Sequence, residues 1–367
     1  MYEHDRWPPS VIARGRIVRR RCAVVLWDAG GSVEGRGPGP SWRRFVRVAG
    51  LALVVVACPV AASPGEDAMF ARLRGLDRRV AIVADRLLIA NATLCRRTEP
   101  AFGMVLHAID QYPLKARPGA RAAFGFGAPV AVEAVVPGAA ADLVGVRADD
   151  GVVAIAGLPV AGGAKAVSTG ARDAVLDRLA GMPVGAEVAV TLLRDGTARE
   201  VRIVPVAACA VRVELSMERG AEAVADDATI LVGSDLVERI DEDGLAVVLA
   251  HELAHVVLNH RARLAAAGVR RGLGGEFGRS RRLMRATEDE ADRLSIYLLV
   301  NAGHDAALAP AFWRAAGAGL EGVIRSRTHG AAAARARLLS DEAALLGAMP
   351  ERPIRPALLD RRDAALR

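Results

Sequence analysis

The segment Leu245-Ala-Val-Val-Leu-Ala-His251-Glu252-Leu-Ala-His255-Val-Val-Leu-Asn-His260 holds the residue types best suited to chemistry in this chain. Nothing in it breaks a helix, and on a helix His251 and His255 lie one turn apart on one side, about 6 Å from each other. Two imidazoles at that spacing can share one small cation, and zinc is the usual one. Glu252 projects beside them, placed to take a proton from an attacking water. The same string also fits a plain helix with two hydrogen-bonded histidines, so a third ligand has to decide. A candidate follows in Arg285-Ala-Thr-Glu288-Asp-Glu290-Ala-Asp292-Arg-Leu, where Leu294, Tyr297 and Leu298 mark the apolar side of a second helix. Glu288 and Asp292, four apart, share a face of it. Glu288 completes a His-His-Glu set with an open fourth position, the arrangement of a catalytic zinc with one ion per chain. Asp292 is placed to accept the second N–H of a ligating imidazole, His251 for preference. His260 is one residue out of register for a third histidine ligand and reads as a helix-end cap.

Other elements must carry these helices. Met69, Leu73, Leu76, Val80, Val83 and Leu87 step by three and four, which predicts an amphipathic helix within 66–94. Tyr112–Gly119 reads as a linker. Residues 121–206 change to short β-rich runs with glycine turns: Val130–Val136, Gly151–Ile155, a helix over Arg172–Leu179, then strands Glu187–Leu193 and Arg199–Val204 around the turn Asp195-Gly196. Thr229–Val232 reads as an edge strand able to hold an extended substrate. Residues 266–282, with Arg270, Arg271, Arg279, Arg281 and Arg282, read as a flap or a solvated loop.

Composition narrows the class. The chain is 52% hydrophobic and 25% charged, with 4% aromatic residues, so it is globular with a core of Ala, Val and Leu. Of the net charge of +7, residues 1–50 carry +6. The remainder is near neutral, which removes the basic pI as an argument for nucleic-acid binding. Arg43, Arg44 and Arg47 precede the apolar run Val48–Ala57, the pattern of a secretory signal peptide. Cleavage after Ala62 fits small residues there, and Val55-Val56-Ala57-Cys58 also resembles a lipobox that would anchor the chain through Cys58. In an exported chain the remaining cysteines, Cys95 and Cys209, are expected to pair; two buried thiols are the alternative.

Two resemblances follow from these residues. Val135-Val-Pro-Gly-Ala-Ala-Ala-Asp through Asp150-Gly-Val-Val-Ala-Ile-Ala-Gly157 resembles a bacterial PDZ domain. Arg121 with Gly125-Phe126-Gly127 is similar to that family's loop for a peptide carboxylate. His251-Glu-Leu-Ala-His255 followed by Glu288-x-Glu-Ala-Asp292 resembles the HtpX-like zinc metallopeptidases, which include the CAAX prenyl endopeptidases and the BepA-type periplasmic proteases. That likeness implies metal ligands at His251, His255 and Glu288, with Glu252 as base. It also implies that Ser326-Arg-Thr-His329-Gly330, a loose match to a later Ser-Thr-His-Pro element, brings His329 towards the metal or the oxyanion. The expected fold is α+β: a mostly helical zincin-type protease domain with a small sheet, plus a β-rich PDZ-like domain. The expected order is a disordered extension at 1–42, a signal peptide at 43–62, a helix and linker at 63–120, the PDZ-like domain at 121–207, the metallopeptidase domain at 208–350 and a tail at 351–367. The expected function is a periplasmic zinc endopeptidase acting on polypeptides, soluble or lipid-anchored. A PDZ-bearing chaperone or scaffold with a latent protease domain is the alternative.

Overall fold

The computed structural model describes residues 64–218, 223–269, 278–316, 331–346 and 351–366. Helix α1 (Pro64–Ala90) opens the described chain, followed by strands β1 (Thr98–Ala101) and β2 (Met104–Ala108), helix α2 (Arg117–Phe124) and strand β3 (Val130–Val135). Helix α3 (Ala140–Leu143), strands β4 (Gly151–Ile155) and β5 (Leu158–Pro159), and helix α4 (Gly170–Ala180) come next. Strands β6 (Val188–Arg194), β7 (Thr197–Ile203), β8 (Val206–Cys209), β9 (Arg212–Ser216), β10 (Ala223–Ala225) and β11 (Thr229–Gly233) follow. The remainder is helical: α5 (Ser234–Arg239), α6 (Glu242–Val257), α7 (His260–Ala266), α8 (Gly278–Asn301), α9 (Leu308–Ala316) and α10 (Ala332–Leu346). A mostly helical region, α5 to α10, thus adjoins a β-rich one, an α+β fold.

The β-rich region is an antiparallel sheet in the order β2-β3-β4-β6-β7, with β5 paired to β4. β6 and β7 form a hairpin whose turn, Asp195-Gly196, has both residues at positive φ (51° and 75°). That is what a two-residue hairpin turn requires of its sequence. Alternation buries Val188, Val190 and Leu192 on one face of β6, against Val175 and Leu179 of α4. Strands β1 and β8 pair beside the sheet, Thr98 opposite Cys209 and Ala101 opposite Val206, so the chain enters and leaves the sheet side by side. A Cys95–Cys209 disulfide closes the same neck.

Several expectations change here. The sheet begins at Met104, because β2 pairs along β3, so its first strand precedes residue 121. Tyr112–Gly119 is no linker: Tyr112 is buried against Phe70, Phe124 and Phe126, and α2 starts at Arg117. Thr229–Val232 is not an edge strand, since β11 lies between β10 and β9. It runs antiparallel to β10 and parallel to β9, and the outer strands are β10 and β9. Arg279, Arg281 and Arg282 stand in the first turns of α8 rather than in a loop, while 270–277 lie outside the described residues.

The helical region is built around α6. Its N-terminus is set by Asp241, whose carboxylate accepts the Gly244 N–H at 2.8 Å, with Glu242 and Asp243 in the first turn where the helix dipole favours acids. Position 244 must be small, because a Cβ there would lie 2.9 Å from the Phe312 ring. Leu245, Ala246, Leu249, Ala250, Leu253 and Ala254 are buried on several sides, so α6 is a central helix rather than a surface one. Val80, Val83 and Leu87 of α1, Leu294 and Leu298 of α8, and Leu339 of α10 share its core. Ile354 and Leu359 belong to the same core and Leu366 is also buried, so the expected tail is docked over 351–366. No helix among the described residues is long and apolar enough to cross a membrane.

Candidate metal centre

α6 and α8 bring three donor atoms to one point. His255 Nε2 lies 3.1 Å from His251 Nε2, and Glu288 Oε2 lies 3.3 Å from His251 Nε2 and 3.6 Å from His255 Nε2. His251 and His255 meet because four residues of helix return a side chain to nearly the same face. Glu288 arrives from the second helix, and the three side chains form the one group among the described residues able to hold a metal ion.

The outer nitrogen of each imidazole is fixed by a separate chain of partners. His251 Nδ1 donates to Asp292 Oδ1 at 2.9 Å. Arg335 grips the same carboxylate through Nε at 2.8 Å and through Nη2, and its guanidinium lies 3.5 Å from the centre of the Trp313 ring. On the other side, His255 Nδ1 is 2.9 Å from His260 Nδ1, and His260 Nε2 is 3.2 Å from Glu290 Oε2. Arg263 Nη1 donates to that oxygen at 2.7 Å.

Electrostatics follows these contacts. Burial pushes Asp292 upward, but the hydrogen bonds from His251 and Arg335 outweigh it and hold the carboxyl far below its ordinary range. Burial lowers His251, yet its bonds to Asp292 and Glu288 win and raise it to about 9. Burial dominates at His260, pushing it down to about 4 despite Glu290, so it is neutral near pH 7. Glu290 is raised by burial and pulled to about 2 by His260 and Arg263.

These residues fit a zinc ion. With both Nδ1 atoms engaged towards acceptors, each imidazole in its neutral form carries its lone pair on Nε2, facing a carboxylate oxygen. Three such ligand atoms within 4.8 Å of one another suit a shared cation. Ligand bonds of about 2.0–2.1 Å around a tetrahedral ion put neighbouring donors roughly 3.3 Å apart, the spacing found here. Two imidazoles and one carboxylate leave a fourth position open, as catalytic zinc sites do.

Residues 213–273 match peptidase family M48. The M48 match runs from β9 through α7 and includes His251, Glu252, His255 and His260, while Glu288 and Asp292 lie beyond it. A metalloprotease-like arrangement, with two of its three residues inside the segment that matches M48, is consistent with peptide hydrolysis in general. No curated protein matches the chain.

The other sequence candidates fall elsewhere. Glu252 stands beside His251 on α6 and is buried. His260 does not cap α6. It opens α7 and faces His255 instead. His329 and the rest of 326–330 lie outside the described residues, as do Cys58 and the signal-peptide segment 43–62. Arg121 and Gly125–Gly127 are not at a docking edge. Gly125 ends α2 at φ 61°, and Arg121 Nη1 donates to the Phe126 carbonyl at 3.5 Å. Phe126 is buried and stacked on His107 at 4.3 Å between ring centres. The strand that follows, β3, is already paired on both sides. Of that run of five strands, β2 and β7 have an outer edge.

Sequence reading missed Arg335, Glu290, Arg263 and Trp313. Arg335 sits in an Ala- and Arg-rich run, Ala331–Arg337, where nothing distinguishes it from its neighbours. Only the packing of α10 on α8 selects it.

Proposed function

We propose that this chain is a zinc-dependent endopeptidase of the bacterial envelope that cleaves polypeptides, with misfolded or unassembled proteins as substrates. The observation that carries the reading is the convergence of His251, His255 and Glu288, with Glu252 following His251 on α6, in and next to the segment that matches M48. When bound there, zinc supplies Lewis acidity that eases deprotonation of water and polarises a carbonyl. Glu252 takes the proton of the attacking water and hands it to the departing amine. Asp292 keeps the His251 imidazole oriented throughout. An extended substrate pairs along β10, the outer strand of the three-stranded sheet, where Val224 is exposed. Export is supported by Arg43, Arg44 and Arg47 before Val48–Ala57, and by the Cys95–Cys209 pair, which suits an oxidising compartment. The mass of the mature N-terminus separates a lipid on Cys58 from cleavage after Ala62.

The direct test is digestion of a denatured outer-membrane protein by wild type and Glu252→Gln. The variant is expected to keep its zinc and lose cleavage by at least about a hundredfold, the usual worth of a positioned general base. Undiminished cleavage by zinc-loaded Glu252→Gln rules out this assignment of the base.

A further inference from the structure

We infer that His260 is a positioning residue for the metal centre: it accepts the Nδ1 proton of His255 and, through Glu290 and Arg263, ties that imidazole to the docked C-terminal segment. The inference rests on the reading of His251, His255 and Glu288 as a zinc site.

Proton accounting along the chain of contacts gives it direction. The Glu290 carboxylate can only accept, and it takes the Arg263 N–H at 2.7 Å and the His260 Nε2–H at 3.2 Å. His260 Nδ1 is therefore a lone pair. It faces His255 Nδ1 at 2.9 Å, which must then be the donor. That leaves His255 Nε2 unprotonated on the side of His251 and Glu288. One fixed carboxylate two groups away thus selects the tautomer able to bind a cation.

The backbone is shaped to allow this. On an uninterrupted helix, position 260 would lie about 140° around the axis from position 255 and could not face it. α6 ends instead, and Asn259 takes a left-handed conformation, φ 55°, before α7 begins at His260. Asparagine is among the few side-chain-bearing residues that adopt it readily. The break swings His260 back over the His255 ring, with 4.9 Å between ring centres. Behind it, Arg263 is nearly fully buried and donates through Nε to the Ala364 carbonyl at 3.0 Å. Among the described residues, the His251 side runs instead through Asp292 to Arg335, whose guanidinium lies over the Trp313 ring.

The experiment measures zinc affinity by competition with a chromophoric chelator, and the visible spectrum of the cobalt(II)-substituted protein. The proteins are full-length wild type, His260→Phe, His260→Asn and Glu290→Gln. Asparagine puts an amide oxygen where Nδ1 was, whereas phenylalanine keeps the bulk without an acceptor. His260→Phe is expected to lose about 10- to 100-fold in affinity and to shift the cobalt spectrum, as loss of a partner behind a ligand does. His260→Asn is expected to recover most of both, and Glu290→Gln to lose several-fold. Wild type that binds no zinc sinks the metal-centre reading itself. Wild type that binds one zinc, with His260→Phe unchanged or His260→Asn no better than Phe, overturns the positioning role alone. If His260→Phe does not fold, Glu290→Gln decides: unchanged affinity overturns the inference and a several-fold loss upholds it.

Discussion

His251 in the helical region and His107 in the β-rich one are both buried histidines beside a buried carboxylate, and they settle in opposite charge states. His251 is raised to about 9 against an ionised Asp292, through hydrogen bonds that overcome burial. His107 is pushed down to about 3, first by burial and then by Arg74, while burial drives its neighbour Glu133 well above its ordinary range. The difference lies in contacts. His251 Nδ1 is 2.9 Å from Asp292, which Arg335 also holds. His107 Nδ1 is 3.6 Å from Glu133 and bonds the Tyr112 hydroxyl at 3.0 Å instead. His107 Nε2 and Glu133 Oε1 have no hydrogen-bond partner among the described residues. Stacked on Phe126 and edge-on to Phe124, His107 belongs to an aromatic core. A buried His–carboxylate pair becomes a cation site only where a further cation fixes the carboxylate and hydrogen bonds aim the ring.

The contrast is sharpest when the chain behind each histidine is cut. Asp292→Asn is expected to weaken zinc binding about 10- to 100-fold, since the amide has no charge and one acceptor oxygen for the two that Arg335 and His251 use. His107→Phe is expected to leave zinc affinity unchanged, and chelator competition reads both. Acidity gives the next largest effect. With His251 raised to about 9 in the absence of a cation, zinc must displace a proton at any lower pH. Affinity is expected to rise about tenfold per pH unit from pH 7 towards 9, then level off, as titrations at stepped pH would record.

The smallest effect belongs to the neutral pair. Replacing both members of a buried neutral pair with groups of similar shape is nearly neutral or stabilising, so His107→Phe with Glu133→Gln should lower stability at pH 5.5 by no more than about 1 kcal/mol. It should also widen the pH range of stability. The lowered histidine takes its proton in the unfolded chain near 6.5 but in the fold only near 3, so it costs wild type stability as pH falls through that window. The raised Glu133 costs stability as pH rises above its ordinary 4.5. Urea midpoints against pH should therefore fall less steeply for the double variant below 4.5 and above 6.5.

What the sequence made legible was whatever a local rule decides. Four-residue steps put His251 with His255 and Glu288 with Asp292, and the turn Asp195-Gly196 makes its hairpin. The helix stripe from Met69 to Leu87 lies within α1, and the Cys95–Cys209 pair forms. What it hid depends on elements far apart in the chain. Strand order put β3 and β11 in the middle of their sheets, which no single run of residues encodes. Arg335 reaches Asp292 across 43 residues, from one of many arginines. His260 was hidden for a different reason: helical periodicity carries it away from His255, and only the left-handed Asn259 brings it back.

The central claim is that one cation is shared by two imidazoles of α6 and the Glu288 carboxylate of α8. Metal analysis of purified wild type and Glu288→Ala, after dialysis against trace zinc, tests it most directly. The account predicts about one zinc per chain in wild type, and an affinity lower by at least about a thousandfold in the variant, which at trace zinc leaves it empty. Equal zinc in the two proteins, or none in wild type, would contradict it.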